Sequence, residues 1–222
     1  MASPFGHSLL GLAVGRAFGG EPVARSWPWW LFCIAAANAP DLDFIPGLLL
    51  GDINRFHQGI SHSIPAAVFF GGLAWLVARP RSAAPMKIGM VGAGLYGSHL
   101  LMDFFSEDRR APFGQPLLFP FFSEHFIAPW AIFGGVKHGI PGDDFLVFFD
   151  DLISWHNAKA IGLETFILLP ILLLSWLLRG NGWRRIDRAG TENPSVPAPV
   201  FSASEGLKKR FEKARTSHRA TQ

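Results

Sequence analysis

Apolar runs along this 222-residue chain are long, and prolines, glycines and charged residues break them. The first covers residues 9–18, behind Pro4, Gly6 and His7. The second runs from Leu31 to about Asn38, behind Arg25 and the aromatic belt Trp27-Pro28-Trp29-Trp30, and stops at Pro40. Asp41-Leu42-Asp43 separates it from a third run at 44–50. A polar loop, 52–58, then leads through His57-Gln58-Gly59-Ile60-Ser61-His62-Ser63 into an apolar run closed by Arg79-Pro80-Arg81. Two further runs cover 86–103 and 161–178, the latter with Glu164 near its start and Pro170 as a tolerated kink. Proline in a first turn and Ser61 or Ser63 as an N-cap mark helix starts. A bilayer core of roughly 30 Å needs about 20 helical residues, so the first run suits a half-span or a tilted helix. The pattern predicts an all-α, polytopic helical membrane protein with four to five membrane segments, some short or re-entrant, around a polar His/Asp cluster.

Glycines 11, 15 and 19 repeat every fourth residue and suit close helix packing. The stretch Gly92-Ala93-Gly94-Leu95-Tyr96-Gly97 formally matches a dinucleotide fingerprint. No strand precedes it and it lies in the middle of an apolar run, so it reads as small-residue helix packing. Residues 106–160 form a long connection. Within it, 114–121 reads as an apolar loop or re-entrant turn. The pairs Asp143-Asp144 and Asp150-Asp151 bracket an interfacial helix, and His125, His138 and His156 read as surface residues. Two domains are expected: a membrane-embedded metal-site domain at 1–180 and a cytoplasmic tail at 181–222. The tail is expected to be disordered over 193–202. Residues 204–215 are expected to form a short basic amphipathic helix, Leu207, Phe211 and Ala214 on one face, resting on an anionic membrane surface.

Composition strengthens the membrane reading. Half the residues (49%) are hydrophobic, and 21 Phe and 8 Trp stand against one Tyr, a balance foreign to a soluble globule. Cys33 is alone, which excludes a disulfide framework and a CxxC metal site. The net charge is +3, but the basic residues flank the apolar runs, so no nucleic-acid partner is expected. The N-terminal run lacks a basic lead-in and is not read as a removed signal peptide. Placing the loops at 16–25 and 79–87 and everything from Arg179 onward in the cytoplasm puts 15 of 20 Lys+Arg there and leaves 12 of 17 acids on or near the other side. This gives five segments in a bacterial-type inner (cytoplasmic) membrane, the N-terminus out and the C-terminus in.

That topology rests on the basic residues alone, yet it sends His7, Asp41, Asp43, His57, His62, His99 and Asp103 toward the outer face. At 1.5 Å per helical residue, His7, Asp41, His62 and Asp103 lie about 14, 24, 26 and 24 Å from their cytoplasmic ends. His99 and Asp103, four residues apart, share a helical face. Alone, that pair fits a helix-end hydrogen bond as well as a metal, and Asp41/Asp43 fit a solvated turn. Together the groups are costly in lipid unless a cation binds them. Imidazole and carboxylate ligands suit zinc first, with manganese or iron as alternatives, as one or two ions. Metal ligands are assigned to His7, Asp41, His62, His99 and Asp103, and Asp43 or His57 is the candidate general base. Such a site would see lipid headgroups or lipid-linked phosphates. The alternatives are a divalent-metal transporter and a metal-binding structural or regulatory membrane protein.

The order His7, Pro40-Asp41-Leu42-Asp43, His57-x-Gly59-x-x-His62-Ser63, His99-x-x-x-Asp103, Gly114-x-x-Leu117-x-x-Pro120-Phe121 resembles the YdjM-type family of inner-membrane metal-dependent hydrolases over residues 5–125. The resemblance implies a multi-span protein with a His/Asp metal site, and assigns His7, Asp41, His57, His62, His99 and Asp103 to metal or catalytic roles. One departure is Gln58, where the family often has Arg. If that Arg binds a substrate phosphate, the role is lost or passes to Arg55 or Arg109.

Overall fold

The first, second and fourth helices start or stop where the sequence gives a reason. The structure, a computed structural model, describes residues 1–19, 26–109, 111–140, 142–143 and 145–192, the side chains of 179–192 excepted. Helix α1 (Pro4–Phe18) begins where the Ser3 hydroxyl accepts the Gly6 N–H and Pro4 supplies a helical φ. Helix α2 (Trp27–Ala37) ends just before Pro40, which has no N–H to extend the ladder. The chain then bends by 63° and passes through the 3-10 turn Ala39–Asp43 into the short α3 (Phe44–Leu49). A second 3-10 turn, Ile60–His62, leads to α4 (Ile64–Ala78), which Ser63 caps by accepting the Ala66 N–H. Helix α5 (Pro85–Phe104) follows. An irregular connection then satisfies its last carbonyls: Ala128 N–H donates to Phe104, and Ile132 and Phe133 N–H both donate to Phe105. Helices α6 (Phe145–Leu152) and α7 (Trp155–Glu192) complete an all-helical architecture, with no strand among the described residues.

Glycine spacing sets the helix approaches. A Cβ on Gly11 would lie 2.9 Å from the Ala37 Cβ and the Cys33 carbonyl, and one on Gly15 would collide with the Cys33 sulfur, so α1 lies directly on α2. Gly71 and Gly89 do the same for α4 and α5, each Cβ falling 2.8 Å from the other's carbonyl. Gly92 meets Phe32, Phe70 and Ala74, as small-residue packing predicts, whereas Gly94 and Gly97 face open space. Three apolar clusters fill the remainder. Trp29, Cys33, Val91 and Leu95 join α2 to α5. Leu9, Met102, Phe133 and Leu168 join α1, α5 and α7. Ala67, Tyr96 and Leu100 join α4 to α5.

Two units divide the chain, Met1–Arg179 and Gly180–Gln222. In α7 the expected helix over 161–178 starts earlier, at Trp155, and continues to Glu192, the last described residue. The expected disordered stretch 193–202 and the amphipathic helix 204–215 lie outside the described residues. By length and composition, Trp155–Leu178 can cross a bilayer, and the bent pair Trp27–Ala37 with Ala39–Leu49 makes a second span if it is read as one broken helix. Helix α4 is apolar but only 15 residues long. Val68, Phe69, Phe166 and Leu177 project outward, 65–80% exposed, an apolar surface that suits lipid.

The Gly15 contact gives a test. Gly15→Val should lower stability by about 1–3 kcal/mol, the usual cost of overpacking, whereas Gly72→Ala, with nothing within 4 Å of its Cβ, should not. Thermal unfolding in detergent measures both.

Candidate metal centre

Helix α2 runs out at Ala37, and the Ala37 carbonyl is left without a helical partner because Asp41 N–H turns to Asn38 instead. His99 Nδ1 takes that carbonyl at 2.8 Å. A carbonyl only accepts, so Nδ1 carries the proton and the Nε2 lone pair of neutral His99 points the other way. His62 is fixed similarly. Its Nδ1 lies 3.2 Å from Asp43 Oδ2, and the turn that carries it is tied to α5 by the Tyr96 hydroxyl, which donates to the Ser61 carbonyl. The two Nε2 atoms face each other at 3.4 Å.

Carboxylates complete this inner face. His99 Nε2 is 3.3 Å from both Asp41 Oδ1 and Asp103 Oδ2, and His62 Nε2 is 3.6 and 3.7 Å from the same oxygens. A tetrahedron of bonds of about 2.05 Å, as zinc makes to nitrogen and oxygen, has edges of about 3.3 Å. His7 lies over His99, rings 3.6 Å apart and nearly parallel, with Nε2 3.4 Å from Asp103 Oδ1. Both ring nitrogens of His7, both oxygens of Asp41 and Oδ2 of Asp103 are buried without a hydrogen bond. Buried polar atoms are rarely left so, and five at one point call for a missing partner. Among the described residues no lysine or arginine pairs with the three carboxylates; their ion-pair partners are histidines alone. The donor set therefore fits a divalent cation. Three overlapping triads can hold one: His7–Asp41–His99, Asp41–His57–His62 and His62–His99–Asp103.

The seven candidate residues thus meet in one cluster. His57 reaches it because Gln58 adopts a left-handed φ of 58° and the 3-10 turn follows, so the five-residue spacing to His62 does not separate them. Its Nδ1 bonds Asp43 Oδ1 at 2.9 Å, its ring stacks on Phe44, and its Nε2 meets the Met1 sulfur at 2.7 Å. Burial holds His57 below the ordinary imidazole range, against the pull of Asp43, so it is neutral near pH 7. Burial also opposes charge on His62, but Asp41 and Asp43 outweigh it and raise that group.

All of these residues fall within 1–182, the stretch matched by the family described as YdjM inner membrane protein. The chain belongs to that family. No curated protein and no solved structure matches it.

This YdjM-family site also contains what sequence reasoning missed. His138, read as a surface residue, is half-buried with its ring edge-on to His57 at 5.0 Å, and Asn54 bonds both its Nδ1 and its carbonyl. His156 is also half-buried, its Nε2 bonded to the Gly135 carbonyl, while His125 is exposed as expected. Met1, Ala2 and Ser3 are buried, and Ala2 N–H donates to Asp103 Oδ1 at 2.6 Å. Met1 and His138 also border a cavity of about 310 Å³, lined by Arg109 and Lys137 and by the acids Glu107, Asp108, Asp143 and Asp151, so that cavity lies one side chain from His57. Arg109 is exposed and held by Glu107, and Arg55 is exposed beside Phe56. None of these placements is marked in the sequence, where His138 stands between Lys137 and Gly139.

The sign of the His57 shift sets a pH dependence. Its folded pKa is depressed, so its contribution is complete above the unfolded value of about 6.5 and declines as pH falls toward the folded one. In chelator-treated protein, the fall in melting temperature between pH 7.5 and 5.5 should be smaller for His57→Gln than for wild type.

Proposed function

We propose that this chain is a membrane-embedded, metal-dependent hydrolase acting on a lipid or lipid-linked phosphate at outer headgroup level. One observation carries the reading. Two imidazole lone pairs, their tautomers set by Ala37 and Asp43, converge with Asp41 and Asp103 oxygens at 3.3–3.7 Å in a buried site without lysine or arginine partners among the described residues. Asp41, His62, His99 and Asp103 would hold the ion, with His7 beside them. Zinc suits the donors first, manganese or iron next. When bound, such an ion supplies Lewis acidity at neutral pH.

The chain's own residues supply the remainder. Asp43 holds His57 by Nδ1, and the Met1 sulfur lies 2.7 Å from Nε2, so His57 would act as an oriented general base once the Met1 side chain moves aside. The cavity bordered by Met1 and His138 lies one side chain from that nitrogen, and Lys137 and Arg109 line it together with Glu107, Asp108, Asp143 and Asp151. Helices α1, α2 with α3, α4, α5 and α7 would form the five membrane segments, the tail cytoplasmic by the positive-inside bias. Short or broken segments are tolerated where irregular backbone lines a buried site. Divalent transport would need ligands continuing along the inner halves of the helices. Among the described residues, the metal-competent groups all share members of this one cluster.

Purified in detergent without chelator, the wild-type protein should carry divalent metal by elemental analysis, and His99→Ala and Asp41→Ala should both lose most of it. Metal-free wild type would remove the hydrolase and transport readings together. Phosphate release from a panel of lipid phosphates by wild type and not by His57→Gln supports hydrolysis. Metal flux into proteoliposomes without such release supports transport.

A further inference from the structure

Glu164 is fully buried on the apolar helix α7, and nothing in the proposed chemistry uses it. A carboxylate there is costly unless it serves a partner. Its partner is Ser3. Glu164 Oε1 accepts the Ser3 N–H at 2.8 Å, and Oε2 accepts the Ser3 hydroxyl. The same hydroxyl caps α1 by accepting the Gly6 N–H. Gly6 leaves room for this, since a Cβ there would strike the Glu164 carboxylate. One residue before Ser3, the Ala2 N–H bonds Asp103 Oδ1 at 2.6 Å. Four residues after it, the His7 N–H bonds the Ser3 carbonyl at 3.0 Å.

We propose that Glu164 is a positioning residue for the metal centre, acting through the buried segment Met1–Ser3. It clamps Ser3, and Ser3 sets two members of the cluster. Through Ala2 it occupies one Asp103 oxygen, which leaves Oδ2 toward His62 and His99. Through the first turn of α1 it sets the height at which His7 stacks on His99. Groups that orient a ligand in this way typically change metal affinity 10–100-fold when lost. This inference rests on the metal reading of the cluster and concerns a residue outside it.

The test is cobalt(II) and zinc(II) affinity, by chelator competition on the full chain in detergent, together with the cobalt absorption spectrum. Glu164→Leu should bind about tenfold more weakly or worse, with an altered cobalt spectrum. Glu164→Gln keeps an oxygen for the Ser3 N–H and an amide N–H toward the hydroxyl, so it should stay within about threefold of wild type with an unchanged spectrum. Folded Glu164→Leu with wild-type affinity and spectrum overturns the proposal, as does equal weakening in the Leu and Gln variants. If Glu164→Leu does not fold, Ser3→Ala decides. Weaker binding with an intact fold supports the clamp, and unchanged binding overturns it. A wild-type protein that binds neither metal overturns the metal reading itself, and the clamp with it.

Discussion

Everything in the first unit depends on burying three carboxylates, Asp41, Asp43 and Asp103, beside histidines with no lysine or arginine as ion-pair partner among the described residues. In an apolar interior an unpaired charge is among the costliest things a fold can hold. Imidazoles relieve part of that cost, yet His99 spends its Nδ1 proton on the Ala37 carbonyl and has only Nε2 to turn toward two carboxylate oxygens. A positive charge between those atoms, from a second proton or a metal, resolves the repulsion. The orphaned atoms of His7, Asp41 and Asp103 favour the metal, because one ion satisfies several of them at once.

The irregular parts of the fold follow from this demand. A straight helix through residues 27–49 would carry Asp41 and Asp43 past the site. Pro40 stops α2, a 3-10 turn presents both aspartates, and the freed Ala37 carbonyl becomes the group that fixes His99. The turn before α4 brings His62 inward while the left-handed Gln58 brings His57. On the outside the same unit is apolar, and membership of an inner membrane protein family accounts for that surface. At these breaks Ala39, Pro40, His62 and Ser63 are buried in protein, while the apolar Leu42 and Ile60 face outward.

Rigidity around the ligands comes from partners one step further out. Asp43 holds both His57 and His62, Tyr96 holds the turn that carries His62, and the buried segment Met1–Ser3 holds Asp103. Each partner chooses a tautomer or an oxygen, and so decides which lone pairs are available in the centre. The side chains of the cluster are thus held from outside it, an orientation of the kind that proton-transfer or metal chemistry would need.

The residue types in the chain were enough to name the seven members of the cluster. Histidine and aspartate interrupting apolar runs are chemically conspicuous, and the i, i+4 spacing of His99 and Asp103 follows from helix geometry alone. Pro40 likewise marked the end of α2, and the Ser61/Ser63 pair the start of α4, whereas α1 starts at Pro4, ahead of the apolar run that announced it. Tertiary structure alone decided the tautomers, the placing of His138 against His57, and the tie from Glu164 through Ser3 to Asp103. The reason is physical. These links span up to 161 positions, several of them through backbone carbonyls and N–H groups that every residue possesses, so no residue-type pattern in the chain could announce them.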